Sequence, residues 1–330
     1  MAEPNYAARK MTVDGVDIVR LTDISHKAEV SIAPKLGNNA FEMKVNGKPV
    51  FWSPYATAGD AARRPTMAGN PFLEPWANRL DHEGFFANGQ SYALNPALKN
   101  YRKDGNQKPI HGLLVFAKEW EVTATGADDN GAWVTSRLEF WRYPDFMAQF
   151  PFAHNVEMTY RLRDGALEVQ TAIENLSNAP MPLAIGFHPY FRLPDSHRDS
   201  WKVHLAARDH VVLSNVLIPT GERKPVELAD PVPLATTQLD DVFTNLVRGA
   251  DGKAEFWVDD GKQRISVIYG PKYKVAVVYA PPGRDFICFE PMTAVTNAFN
   301  LAHEGKYGEL DSVAPRSTWK ESYWIRTSGY

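Results

Sequence analysis

Two titratable residues far apart in the chain each follow an apolar run and precede a proline. His188 stands in Gly186-Phe187-His188-Pro189-Tyr190-Phe191, and Glu290 in Phe286-Ile287-Cys288-Phe289-Glu290-Pro291-Met292-Thr293. An imidazole takes up or releases a proton near neutral pH, whereas a carboxylate is ordinarily ionised there. A strand that is apolar almost to its end and then presents one such group aims it into a cleft, because a buried carboxylate is costly unless paired or used. Together the two suggest general acid and general base chemistry. The plainer reading of His188 is a half-buried ring bonded to a carbonyl.

Three further clusters carry polar groups in loop settings. In Pro75-Trp76-Ala77-Asn78-Arg79 an amide and a guanidinium lie side by side, suited to several hydroxyls, although a surface Arg with a turn Asn is the simpler alternative. His111 precedes Gly112 at the start of an apolar run, and a lone His of this kind is more often structural. Asp240, in Leu239-Asp240-Asp241-Val242-Phe243, either caps a solvated turn or accepts hydrogen bonds from sugar hydroxyls.

The elements that must position these residues read as strands. Val156, Met158, Tyr160 and Leu162 alternate with more polar residues, Asp164-Gly165 follows, and Leu167, Val169, Thr171 and Ile173 alternate again. Period-2 alternation around Asp-Gly predicts a hairpin, since that dipeptide accepts the positive φ angles of a tight turn. Asp260-Gly261 repeats the signal between Phe256-Trp257-Val258 and Ile265-Ser266-Val267-Ile268-Tyr269. Further strands are expected at 28–32, 133–141, 201–205, 275–279 and 323–326. Helical periodicity is confined to a short piece around 60–67, interrupted by Pro65. The 24 prolines and 22 glycines are spread as turn punctuation and form no linker, so one β domain over 1–330 is expected.

Composition narrows the function. With 44% hydrophobic and 23% charged residues, the chain is that of an ordinary globular protein. A net charge of -3 without a basic run gives no electrostatic case for nucleic acid or an anionic membrane. Cys288 is the only cysteine, which rules out an intramolecular disulfide or a thiolate metal cluster and reads as a buried small hydrophobe. No His-x-His, His-Glu-x-x-His or glycine-rich phosphate loop appears, so neither a metal nor an organic cofactor is expected. No run approaches the roughly 18 apolar residues of a membrane span, and no signal peptide is visible at the N-terminus, which points to a cytoplasmic protein.

Taken in order, Pro-Trp-Ala-Asn-Arg at 75–79, Ile-His-Gly-Leu at 110–113, Gly-Phe-His-Pro-Tyr-Phe at 186–191, Leu-Asp-Asp-Val-Phe at 239–243 and Phe-Glu-Pro-Met-Thr at 289–293 resemble the motifs of the aldose 1-epimerase (galactose mutarotase) family. The resemblance spans about two thirds of the chain, and the stretch from Ala28 to Gly37 resembles the family's opening. It implies an all-β, galactose-mutarotase-like β-supersandwich of large antiparallel sheets with few short helices. It also implies roles: Glu290 as general base, His188 as general acid, and Arg79, His111 and Asp240 as sugar contacts, with Asn78 following by adjacency. Glu74 departs from the pattern, standing where an apolar or aromatic residue is expected. Met292 stands where Gln is frequent, and the Pro315-Arg316 segment lacks the family's Pro-Gly turn.

The activity so implied is interconversion of the α and β anomers of free hexoses such as glucose or galactose, by a cofactor-independent monomer or homodimer whose partner is a monosaccharide. Two alternatives stand beside it. A hexose-6-phosphate 1-epimerase would need basic residues at the sugar's C6 end, for which Arg63-Arg64 and Arg102-Lys103 are candidates. A non-catalytic sugar-binding or sensing module would not require the His188 and Glu290 pair. A hydrolase would need two carboxylates flanking one bond, and only Glu290 has a convincing setting. Trp76, Tyr190 and Phe243 are candidates for an aromatic floor beneath the sugar.

Overall fold

The computed structural model describes residues 4–330; the first three residues, part of the N-terminus read for a signal peptide, lie outside the described residues. Strand after strand pairs antiparallel. A nine-stranded sheet runs in the order Glu121–Asp128, Gly131–Glu139, His154–Arg163, Ala166–Asn175, Thr318–Ser328, Arg264–Tyr269, Ala254–Asp259, Lys202–His204, Val232–Pro233. An eight-stranded sheet is built from Pro219–Pro225, Ala207–Leu213, Leu239–Leu246, Val275–Ala280, Ile287–Met292, Gly186–Phe187 and Phe72–Leu73, with Tyr190–Phe191 also pairing on Ile287–Met292. A five-stranded N-terminal sheet, Tyr6–Val13 through Lys48–Pro49, completes the large layers.

The two large sheets pack face to face. Phe289 of the eight-stranded sheet meets Phe256 of the nine-stranded one with ring centroids 6.3 Å apart, and Phe187 lies 4.9 Å from Tyr323. One continuous apolar cluster extends from Tyr6 to Ile325. Such interleaving of inward-facing residues from two sheets is the sandwich solution to burying one face of each strand.

The Asp164-Gly165 hairpin forms as predicted: Arg163 pairs with Ala166, and the two turn residues have φ of 49° and 70°. Asp260-Gly261 also joins two paired strands, but Asp259 pairs with Arg264, so the loop is four residues long. There Asp260 Oδ1 accepts from the Lys262 and Gln263 amides, closing a wider turn. The strand expected at 133–141 is Gly131–Glu139, because Phe140–Arg142 coils into a 3-10 turn. The helical piece is Ala58–Arg63: Thr57 caps it by accepting from the Asp60 amide, and the chain leaves the helix before Pro65, as proline's effect on its predecessor requires. Short helices at Pro144–Gln149 and Ala298–His303 have no periodic signal of their own.

Candidate active site

Alternation along Ile287–Met292 builds the site. Phe289 turns into the core, so Cys288 and Glu290 turn to the opposite face. Strand register extends that face sideways: Cys288 lies opposite Tyr279 and Tyr190, Tyr279 opposite Asp240, and Glu290 opposite Val277. Gly186 pairs with Met292 and Tyr190 with Cys288, which puts His188, midway between them, opposite Glu290. On its other side the His188 amide donates to the Pro71 carbonyl at 2.9 Å. The break in pairing at His188-Pro189 is therefore where the strand releases an imidazole into the cleft.

The two side chains meet. His188 Nε2 lies 3.2 Å from Glu290 Oε1, with the side chains 8% and 1% exposed. The remaining polar atoms of the pair, His188 Nδ1 and Glu290 Oε2, are buried without a hydrogen-bond partner. Tyr190 stacks on the His188 ring, centroids 4.7 Å apart and 13° between planes, and the His111 ring meets it edge-on at 5.3 Å. Trp52, Met67, Tyr190, Tyr279, Phe286 and Cys288 form an apolar wall of their own beside the pair.

Two loops carry Asn78, Arg79 and His111 to the same place. Arg79 forms a bridge with Ile110, which pairs with Arg102, and the His111 amide donates to the Asn78 carbonyl at 2.8 Å. Asn78 and His111 both hold positive φ, 56° and 65°, the conformation that swings each side chain out of line with its neighbours. The Asn78 side chain accepts from Arg79 Nη1 at 2.9 Å, while Arg79 Nε donates to Asp104 Oδ2 at 2.7 Å. Asn78 thus orients Arg79. Asp240 lies at the exposed edge, two strands away from Glu290, and has no cation within 4 Å among the described residues.

Electrostatics follow from this crowding. Burial pushes the Glu290 carboxyl well above its ordinary value; the Asp240 charge adds to the rise and Arg79 opposes it. Burial lowers His188 to about 3, with Arg102 and Arg79 contributing against its charged form. His111 is held well below the usual imidazole range by burial, then by His188, Arg102 and Arg79. At the exposed edge, partial desolvation by the neighbouring strands raises Asp240, with Asp241 adding to the rise and Arg79 opposing it. For Asp104 burial acts upwards, but Arg79 and the amides of Lys108 and Asn106 outweigh it and hold the carboxyl low. Burial raises the Cys288 thiol, so it packs as an inert apolar group.

All six residues singled out from the sequence therefore gather around the His188–Glu290 pair. The aromatic candidates divide. Tyr190 is there, whereas Trp76 and Phe243 are 1% exposed members of the main core, Phe243 because it alternates away from Asp240. Sequence reasoning missed Trp52, Tyr279, Phe286 and Asp104. The Asp104-Gly105-Asn106 turn is legible, with the Asn106 amide donating to Asp104 Oδ1, but its pairing with Arg79 is not. Of the basic candidates, Arg63 pairs with Asp60 and Lys103 with Glu83. Arg102 lies over the Phe116 ring, 5.6 Å from its centroid, with no carboxylate within 4 Å among the described residues. No group of three or more His, Cys, Asp or Glu side chains suited to a metal ion occurs among the described residues.

The family model of aldose 1-epimerases matches residues 20–326 of the chain. The protein belongs to the aldose 1-epimerase family. Solved structures agree on the fold. A galactose mutarotase-like protein of Clostridium acetobutylicum superposes with a TM-score of 0.87 at 21% identity, covering 99% of each chain. A putative aldose 1-epimerase of Escherichia coli K12 gives 0.70 at 19% identity over 92% of this chain and 96% of that one. A galactose 1-epimerase of Lactobacillus acidophilus NCFM gives 0.73 at 14% identity over 99% of each. At such identities the likeness is one of fold, and the mutarotase-like sandwich expected from the motifs is the architecture observed. Membership of the aldose 1-epimerase family makes the protein an isomerase-type enzyme of carbohydrate metabolism. No helix among the described residues is long and apolar enough to cross a membrane.

Proposed function

We propose that this aldose 1-epimerase family member interconverts the α and β anomers of free hexoses such as glucose and galactose, with Glu290 as general base and His188 as general acid. The observation that carries the proposal is the 3.2 Å contact between His188 Nε2 and Glu290 Oε1 in a buried cleft. Opening the ring removes the proton on O1 and protonates the ring oxygen. Both oxygens hang on C1, so the acid and the base must be neighbours. The aldehyde then turns about C1–C2, and the same pair run in reverse closes the ring on the other face.

The pair's proton inventory suits this. Burial disfavours both charged forms, so the empty cleft favours one proton resting on Glu290 beside a neutral His188. The reacting form, carboxylate and imidazolium, carries the same single proton moved across the contact. Arg79 stabilises the Glu290 charge and opposes the His188 charge. Arg79, oriented by Asn78 and Asp104, donates to sugar hydroxyls, as does His111; Asp240 accepts from hydroxyls at the mouth. Tyr190 supplies the flat apolar surface. The chemistry asks for no cofactor, and the substrate is the one partner it requires.

Exchange between the anomeric proton signals of glucose and galactose, followed by NMR with catalytic enzyme, tests the proposal. Faster exchange supports it, and exchange no faster than in buffer for either sugar removes it. One observation favours a second reading, a hexose-6-phosphate 1-epimerase: the Arg102 guanidinium is free of any carboxylate within 4 Å among the described residues. Glucose 6-phosphate exchanging faster than glucose, with the advantage lost in Arg102→Gln, would establish that reading in place of the first. We also propose that residues 1–330 form one domain in a cytoplasmic protein that is a monomer or homodimer.

A further inference from the structure

Glu74 is a buried carboxylate that the chemistry above does not use. Its side chain is 2% exposed, and Oε1 lies 2.8 Å from Nε2 of His154, itself 0% exposed. The other ring nitrogen, Nδ1, faces the Phe152 carbonyl at 2.7 Å. A carbonyl can only accept, so Nδ1 carries a hydrogen, and one further proton lies between Nε2 and the carboxyl oxygen. The His154 ring is held against Phe140, centroids 4.2 Å apart and 27° between planes. His154 opens the strand His154–Arg163, in the interior of the nine-stranded sheet.

The backbone of Glu74 reaches in the opposite direction. Its carbonyl accepts from the Leu113 amide at 2.7 Å and the Leu114 amide at 3.2 Å. Gly112 runs directly alongside, so close that a Cβ there would lie 2.2 Å from the Glu74 carbonyl oxygen. Leu73 pairs with Gly186, two residues before His188, and Asn78-Arg79 follow four and five residues after Glu74. The three segments that bring Arg79, His111 and His188 to the cleft therefore converge on Glu74, and its side chain fastens them to the large sheet.

Stability is a poor reason for such a pair. Desolvation offsets the attraction of two buried charges, and well-packed apolar replacements are often neutral. A pair that specifies position is the better account. We propose that Glu74 and His154 are positioning residues whose hydrogen bond sets Asn78–Arg79 and His111 in place against the His188–Glu290 pair. The proposal rests on the reading of this cleft as the sugar site.

Three variants of the full chain test it: Glu74→Gln, Glu74→Leu, and Glu74→Leu combined with His154→Phe. Glutamine keeps the contact, because its amide donates to Nε2 while Nδ1–H stays on the Phe152 carbonyl. The double variant fills the site with apolar groups and leaves only the Phe152 carbonyl without its Nδ1 donor, a smaller loss than the unpaired imidazole left by Glu74→Leu alone, so it stays folded where the single variant does not. Anomer exchange gives KM and kcat, thermal unfolding gives stability, and hydrogen exchange reads the Leu113 and Leu114 amides. The expected result is a double variant with a near-normal melting temperature, KM raised about tenfold with kcat changed much less, and faster exchange at both amides. Glu74→Gln is expected to restore the wild-type pattern. Wild-type KM and amide exchange in the double variant, or a glutamine variant no better than leucine, would overturn the proposal. If the wild-type protein exchanges no sugar anomers, the functional reading falls, and the amide exchange still decides the role of the pair.

Discussion

Glu290 is where the cost of the site is most concentrated. A carboxyl whose folded value is raised by burial contributes stability below its unfolded value near 4.5 and loses it as pH climbs through the folded value. Glu290→Gln removes that loss. The variant is therefore expected to melt above the wild type at pH 7, with the gap closing as pH falls below about 4.5; equal melting temperatures at both pH values would contradict the raised carboxyl. His188 works in the other direction, contributing stability above its unfolded value near 6.5 that is lost as pH falls towards about 3. Between those two folded values the pair keeps its single proton, so kcat/KM should be flat from above about 3 through the ordinary carboxylate range near 4.5 and fall only beyond the raised Glu290 value. A rise or fall centred on the ordinary carboxylate value near 4.5 would argue against a shared proton. His188→Asn should lower kcat by about 10²–10⁴-fold while leaving the circular dichroism of the folded chain intact. His188 and Glu290 could be read from sequence because each breaks an apolar run just before a proline. Asp104 and Tyr279 could not: Asp104 acts on a residue 25 positions away, and Tyr279 is one more apolar position until the register places it opposite Cys288.

At the scale of elements, local rules predicted strands well and loops poorly. The 156–162 and 167–173 runs alternate because one face is buried, and the structure pairs them about Asp164-Gly165. The short helices at Pro144–Gln149 and Ala298–His303 carry less than two turns each, too little for a 3.6-residue period to show. The segments 75–79 and 110–114 have no period at all, and their placement depends on one another through Glu74, Asn78 and Gly112. Gly112 holds φ +64° with the Glu74 carbonyl where its Cβ would be. Gly112→Ala should therefore cost about 2 kcal/mol or more of stability and disturb His111 next to it, raising KM. A variant with wild-type melting temperature and KM would show that the segment can shift without consequence.

Across the whole molecule, the motifs quoted from the sequence lie in strands and loops drawn together from residues 75 to 293, so the site exists only when the sandwich is complete. The apolar cluster runs without a break from Tyr6 to Ile325, and no linker divides it. One unfolding transition is therefore expected, with tryptophan fluorescence and far-ultraviolet dichroism changing together; two separated transitions would indicate independently folding halves. The fold class could be read at this scale because alternation recurs along the entire chain, and the ordered motifs pointed to the family that the matched region of 20–326 establishes. The identity of the sugar could not, since Arg102 serves a phosphate or a hydroxyl equally well until something is bound. Everything proposed for the site depends on His188 and Glu290 interconverting sugar anomers. Polarimetry of freshly dissolved α-D-glucose and α-D-galactose, with wild-type protein and with Glu290→Gln, addresses it most directly. The wild type is expected to speed the approach to equilibrium rotation for at least one of the two, and the variant to fall back towards the buffer rate. No acceleration by the wild type, or equal acceleration by the variant, would contradict it.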